Sequence, residues 1–316
     1  MKSRKELLFV YSVKDANPNG DPLNANHPRY DEETGQVLVS DVRIKRTIRD
    51  EFMRMKKNED EYEEVFIDGL PKTMKNRYEE LKSKYTDKEK AQEIDKEKAQ
   101  EILKECIDAR LFGVTFALGE KATFAWTGPV QFKWGRSLHK AKVEFIQGTG
   151  AFVTNEGGEQ RTIRNEYIVP FALIATYAIG NQYASVRTGA SDDDFDKLVE
   201  ALWNGTNNLI TRSKTEHRSR MLLVIDYVEG FNGLIGSLDE RIRLVKKDGS
   251  ELNEDEQLAL RNITEVSIDL SEVSKKLETL SDKIEKIKVI KDPDLEILGL
   301  DDLQSKLREK VVVELR

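Results

Sequence analysis

Apolar residues follow two rhythms along this chain, and the switches between them mark its elements. LLFVYSV at 7–13 is an apolar run broken only by Ser12, the pattern of a strand covered on both faces. From Asp41 to about Lys56 the rhythm becomes helical. Ile44, Ile48, Phe52 and Met55 share one narrow stripe behind Ser40, a natural N-cap, and Asp41 suits the first turn. Strand patterns resume at 111–118 and at 129–134, where Val130, Phe132 and Trp134 alternate with Gln131 and Lys133. Residues 143–168 read as a projecting hairpin with its tip at Glu156-Gly157-Gly158-Glu159, and 167–179 as a further apolar strand. Ser191-Asp192-Asp193-Asp194 starts a helix carrying Phe195, Leu198, Val199 and Leu202, and Met221 to Val228 reads as one more buried strand.

With the other segments set aside, the order is strand, helix, strand, strand, helix, strand. That is the βαββαβ order of α+β folds of the ferredoxin-like and RNA-recognition kind, although the aromatic signature of ordinary RNA-recognition modules is absent. Residues 56–108 read as a charged helical insertion. It contains a duplication, DKEKAQEI at 87–94 and again at 95–102, whose period fits neither a heptad nor a solenoid. Residues 254–310 read as a charged, mostly helical C-terminal extension with Val273, Leu277, Leu280, Ile284 and Ile287 as its apolar seam.

Composition then narrows the chemistry. A single cysteine, Cys106, excludes a disulfide framework or a Cys-rich zinc site and suggests a reducing cytoplasm. No run of 18 apolar residues suggests a membrane span, and MKSRKELLFVYSVKD reads as a first strand rather than a signal peptide. The net charge of −7 argues against a nucleic-acid partner, but its distribution does not: residues 111–190 carry +3 and residues 231–316 carry −5. A basic groove can sit on such an acidic body.

His27, His139 and His217 stand apart from one another and from Cys106, which leaves no metal site and no cofactor to expect. No nucleophile elbow, Walker A loop or dinucleotide fingerprint is present; Gly148-Thr149-Gly150 lacks the third glycine and reads as strand flexibility. Asp192, Asp193 and Asp194 read as helix-capping groups. Nothing assembles a nucleophile, base and orienter. What remains is a binding constellation. Its parts are a restricted loop, DANPNGDPLNANHPRYDEETG at 15–35, a basic helix and a basic hairpin arm holding Arg161 and Arg164. Arg43, Lys45, Arg46 and Arg49 fan across the helix side away from the stripe, four cations against one Asp within nine residues. An ordinary solvated face is the alternative. Loop amides and arginines can hold phosphates. Phe152, with Val153 beside it, is either a core residue at the hairpin base or an apolar wedge between bases.

NPNGDPLNANHPRYDEETGQVLVSDVRIKRTIRD at 17–50 is followed in order by DARLFG at 108–113, GPVQF at 128–132, VTNE at 153–156, YIVPFAL at 167–173 and RTGASDDDF at 187–195. Over roughly residues 5–228 this set closely resembles the Cas-seven-type backbone subunit of type I CRISPR Cascade, within the RAMP superfamily, and most of all its I-B and I-C branches. The resemblance implies a non-enzymatic, cytoplasmic subunit that polymerises head-to-tail along a CRISPR RNA and presents the guide in kinked segments for pairing with target DNA. Its other partners would be the large, small and RNA-end-capping subunits of the complex. It implies an RRM-like palm at 5–56, 108–146 and 167–230, a helical web at 57–107 and a β-hairpin thumb at 147–166, with 231–316 beyond the recognised motifs. The implied guide-binding residues are Asn19, Gly20, Ser40, Arg43, Lys45, Arg46, Arg49, Lys133, Arg136, Arg161, Arg164 and Arg187, with Phe152 and Val153 as the thumb wedge. The related type III backbone subunits cleave target RNA with a loop aspartate; Asp21 would be that residue here. A third reading is a protein scaffold that holds no RNA.

Overall fold

A strand with consecutive apolar residues on both faces has to be covered on both sides, and β1 (Lys5–Ala16), with Leu7–Tyr11 apolar throughout, is the centre of the molecule for that reason. The computed structural model describes residues 1–85, 95–119, 122–153 and 161–316, with side chains throughout except at 149–153 and 161–164. The fold is mixed α+β. After β1 come β2 (Tyr30–Asp31), β3 (Gln36–Val39), α1 (Asp41–Phe52), α2 (Met74–Tyr85), α3 (Lys96–Leu103), α4 (Ile107–Phe112), β4 (Gly113–Ala117), β5 (Thr123–Thr127), β6 (Val130–Phe132), β7 (Gly135–Ser137), β8 (Glu144–Val153) and β9 (Arg161–Gly180). The chain continues through α5 (Gln182–Thr188), α6 (Asp192–Asn207), β10 (His217–Tyr227), β11 (Arg243–Lys246), α7 (Glu254–Ala259), β12 (Val266–Asp269), α8 (Ser271–Thr279), β13 (Ile284–Lys291), β14 (Glu296–Leu298), α9 (Leu300–Leu307) and β15 (Val311–Leu315).

The main sheet has the strand order β15-β13-β10-β1-β9-β7-β3-β2, with β6 and β8 also paired to β9. β1 runs antiparallel to both neighbours, Leu8 facing Tyr177 on one side and Leu223 on the other. Alternate side chains then feed two cores. Leu7, Phe9, Tyr11 and Val13 pack with Ile44, Ile48 and Phe52 of α1 and with Phe195, Leu198 and Leu202 of α6. Leu8 and Val10 pack on the opposite face with Leu223, Ile268, Leu277 and Leu303. Ser191 and Asp194 close a capping box at the start of α6, and Arg110 grips Asp194 at 2.6 and 3.0 Å.

Three segments differ from their sequence pattern. Residues 53–73, expected as helix, are irregular, because Asp68-Gly69 and Pro71 interrupt the helical run. β4 and β5 form their own two-stranded sheet, and Phe116, Phe124 and Trp126 pack with Tyr78, Leu81 and Leu103 of α2 and α3. The β4–β5 hairpin therefore belongs to the insertion rather than to the main sheet. The largest correction concerns the C-terminal region, which is not a mostly helical extension. β13 pairs antiparallel with β10, β15 pairs parallel with β13, and β11, β12 and β14 form a second small sheet. The seam from Val273 to Ile287 is helical only to Thr279; Ile284 and Ile287 lie on β13. β-branched residues at 284, 287, 289 and 290 favour the strand, and a 4-and-3 spacing does not exclude it.

β8 and the first part of β9 pair from Glu144↔Ile168 to Val153↔Arg161 and leave the body as an arm, on which Phe145 and Ile146 are both exposed. The tip at 156–159 and the first octapeptide copy at 87–94 lie outside the described residues.

Candidate nucleic-acid interface

The loop after β1 holds its shape through short-range bonds between its own polar residues. Asn19 is the hub. Its side-chain oxygen accepts from the Ser40 amide at 2.8 Å and from the Ser40 hydroxyl at 2.9 Å, and its carbonyl accepts from the Arg29 amide at 2.8 Å. Ser40 thus precedes α1 as expected, but its hydroxyl serves Asn19 instead of capping the helix. Gly20 bridges to Pro28, and Asp21 accepts from the Leu23 amide at 3.0 Å and from Asn24 at 2.7 Å. Those two bonds hold the Asp21 carboxyl below its ordinary range. The loop is also tied to the base of the arm. Asn26 donates to the Asn165 carbonyl at 3.1 Å, and the His27 ring lies 4.7 Å from Tyr167, which lies 5.2 Å from Phe145.

The four cations of α1 do not share one environment. Val42 is the only exposed residue of that helix, at 64%. Arg49 is buried, donates to Asp108 at 2.7 Å and lies 5.3 Å from the Phe112 ring. Lys45 is buried between Asp41 at 3.2 Å and Gln131 at 3.1 Å. Arg46 pairs with Asp50 at 2.7 Å, and a Cβ at Gly69 (φ +77°) would overlap its guanidinium. The expected solvent-facing fan is therefore corrected: α1 is covered on its second side by α4 and by the 66–70 segment, and two of its cations are internal ties. Arg43 is different. It is largely enclosed, beside Tyr11 and near Asp50, and its guanidinium makes no hydrogen bond or salt bridge among the described residues.

The remaining expected residues are spread out. Lys133 pairs with Asp239 at 2.9 Å and with Glu240, and Arg136 pairs with Asp31 at 3.0 Å on the sheet edge. Arg187 is exposed on α5, beyond the end of β9 that faces Lys5. The loop leaves the other end of β1, so roughly 35 Å of strand separates Arg187 from it. Phe152, Val153, Arg161 and Arg164 lie on the arm by backbone position, and their side chains are outside the described set.

One cluster went unread in the sequence. TRSKTEHRSR at 211–220 holds Arg212, Lys214, Arg218 and Arg220 against Glu216, a charge run with no helical or strand periodicity to mark it. The structure packs it against the signature loop: the Asn17 amide donates to the Ser213 carbonyl at 2.8 Å. Lys214 and His217 then stand next to Arg43. Burial, then Arg43 and Lys214, push His217 down to about 3, and burial and Arg43 lower the Lys214 ammonium. The surface where the loop, the start of α1, the start of β10 and the arm meet is thus rich in cations and in loop amides. Such a surface can bind a polyanion. Among the described residues no three His, Cys, Asp or Glu side chains converge as a metal site, and no helix is long and apolar enough to cross a membrane.

A family model described as CRISPR-associated protein Cas7 matches residues 3–271. A curated protein of Haloferax volcanii, described as CRISPR-associated protein Cas7, is 27% identical over 316 residues, covering 93% of this chain and 88% of its own length. Among solved structures, a chain of a CRISPR RNA-guided surveillance complex in a pre-nicking state is 14% identical, with 92% of each chain covered and a TM-score of 0.54. A chain of another CRISPR RNA-guided surveillance complex is 14% identical, with 92% and 89% covered and a TM-score of 0.51.

Proposed function

This chain belongs to the CRISPR-associated Cas7 family, and from that premise we propose that it is the guide-RNA-binding backbone subunit of a type I surveillance complex, a non-enzyme that acts in the cytoplasm. Copies stack head-to-tail along one CRISPR RNA, since a heterologous interface that does not close makes a helical filament. The arm of each copy kinks the guide, and the segments between kinks pair with target DNA. The large, small and RNA-end-capping subunits complete the particle.

One observation carries the reading: Arg43 and Lys214, neither in a salt bridge among the described residues, converge beside the signature loop where the arm is anchored. The order β10-β1-β9-β7, with α1 and α6 packed into one core, supports a ferredoxin-like palm over 5–56, 108–146 and 167–230, less the β4–β5 hairpin. Residues 57–107 with that hairpin serve as the web and 147–166 as the thumb, with Phe152 or Val153 as its wedge. Within the palm, Asn19, Gly20 and Ser40 shape the loop, and Arg43 faces the guide backbone. Arg161 and Arg164 reach it from the thumb. Lys133, Arg136 and Arg187 face other parts of the guide's path or its neighbours, while Lys45, Arg46 and Arg49 act on the guide through the position of α1.

Co-expression with a CRISPR array, followed by native mass spectrometry and a denaturing gel of the extracted RNA, tests this. Several copies on one discrete RNA is the expected result, and an RNA-free monomer refutes it. Cleavage of complementary labelled RNA in Mg²⁺ would instead favour the ribonuclease reading with Asp21.

A further inference from the structure

Between β1, α1, α6 and β10 lies a narrow pocket of about 20 Å³, bordered by Tyr11, Pro18, Arg43, Thr47 and His217 among others. That is room for about one water-sized group. His217 is 4% exposed, and among the described residues neither its Nδ1 nor its Nε2 has a hydrogen-bond partner. Its ring stacks 6.0 Å from Tyr11. The Arg43 guanidinium, on the pocket wall, makes no hydrogen bond or salt bridge among the described residues, and the Lys214 ammonium donates only to the Ser213 hydroxyl at 3.2 Å. A buried imidazole with both nitrogens unpaired destabilises a fold, and an enclosed guanidinium without a hydrogen-bond partner adds to that cost. Both costs fall at one place, next to the signature loop. Arg43 and His217 on the pocket wall offer a guanidinium fork and a ring N–H, and the Lys214 ammonium stands near both, outside the lining. Their complement is an oxygen that only accepts and carries negative charge. The pocket is too small for a base but matches one phosphate oxygen.

We propose that Arg43, Lys214 and His217 form a subsite that grips one phosphate of the bound guide RNA, with the His217 ring N–H as the buried donor. The proposal rests on the guide-binding reading above and adds two residues to it, both from the segment that the sequence pattern did not single out. It also divides their roles. Lys214 contributes charge. His217 is neutral at physiological pH, held so by burial and by Arg43 and Lys214, and contributes a hydrogen bond without charge.

The division can be measured with the full chain and fluorescein-labelled oligo-uridine, by anisotropy across a salt series. Lys214→Ala should weaken binding and reduce the magnitude of the salt slope by about 0.7, the value for one cation on a single strand. His217→Leu should weaken binding roughly tenfold at an unchanged salt slope. His217→Gln, which keeps a donor, should recover most of that loss. At neutral pH the melting temperature of His217→Leu should equal or exceed that of the wild type, since two orphaned nitrogens are removed; a structural role would lower it. Wild-type affinity in His217→Leu overturns the subsite alone. No RNA binding by the wild-type chain overturns the guide-binding reading, and the subsite with it. Competition by inorganic phosphate but not by chloride at matched ionic strength would assign the pocket to free phosphate and overturn the guide assignment.

Discussion

Arg43 and Arg49 are six residues apart on one helix, and their removal should have opposite consequences. Asp108 is 1% exposed and accepts from Arg49 at 2.7 Å, from the Phe66 amide at 2.6 Å and from the Ile67 amide at 3.2 Å. Arg49→Ala leaves that carboxylate buried with two amides and no counter-ion, a change that costs about 3–5 kcal/mol. Against a total stability of roughly 5–15 kcal/mol, and an m-value near 3 kcal/mol per M, the urea midpoint should fall by about 1–2 M. The cation over the Phe112 ring is lost as well. Asp108→Asn in the same chain should return part of the loss, because the orphaned charge is then gone. Arg43 has no such partner among the described residues, so Arg43→Ala should leave the midpoint unchanged or raised while RNA affinity and salt slope both fall. Urea unfolding by tryptophan fluorescence, paired with anisotropy on labelled RNA, reads both quantities. An Arg49→Ala protein of wild-type stability, or an Arg43→Ala protein of wild-type affinity, would refute the reasoning.

Acid should destabilise the fold through His217. Its pKa is about 3 in the folded chain against an ordinary 6.5, so the unfolded chain takes up the proton first, and stability present above pH 6.5 is lost as pH falls toward 3. From pH 7 to pH 5 the loss is about 2 kcal/mol, with buried His139 adding in the same direction, and His217→Leu should flatten the urea-midpoint profile. Glu6 is 0% exposed and accepts from the Tyr177 and Tyr227 hydroxyls and, at 2.8 Å, from the amides of both Ile235 and Gly236. Glu6→Ala should cost roughly 3 kcal/mol and accelerate amide exchange at those two residues, whereas unchanged exchange would mean that the 229–237 loop is held some other way. A chain ended at residue 237 should aggregate, because β10 loses its β13 partner and Leu8, Val10, Leu223 and Ile225 lose their cover; a soluble monomer on size exclusion would count against the C-terminal region as part of the core.

What was legible in the sequence was local. The Ser191 box closes within three residues, and β1 announces its burial by having no polar alternation. These features depend on neighbours along the chain, and a pattern of positions records them. Periodicity also tells which residues share a face of α1, but not what covers that face. Arg49 meets Asp108 across 59 residues, and no spacing rule joins them. The same limit produced the misread C-terminal region: Val273 to Ile287 carries an apolar seam that a helix and a helix–turn–strand unit both satisfy, and the strand wins because β10 offers an edge to pair with. Charge shows the point most sharply. Four cations on α1 drew attention by their number, yet three are matched by acids or amides of the fold itself. The cation left without a salt bridge, Arg43, is accompanied by Lys214 and His217 from a run that looked like ordinary loop. Count of charges along a helix therefore says little about a binding surface. Unsatisfied donors, which only the folded chain reveals, mark where an outside partner is owed its bonds.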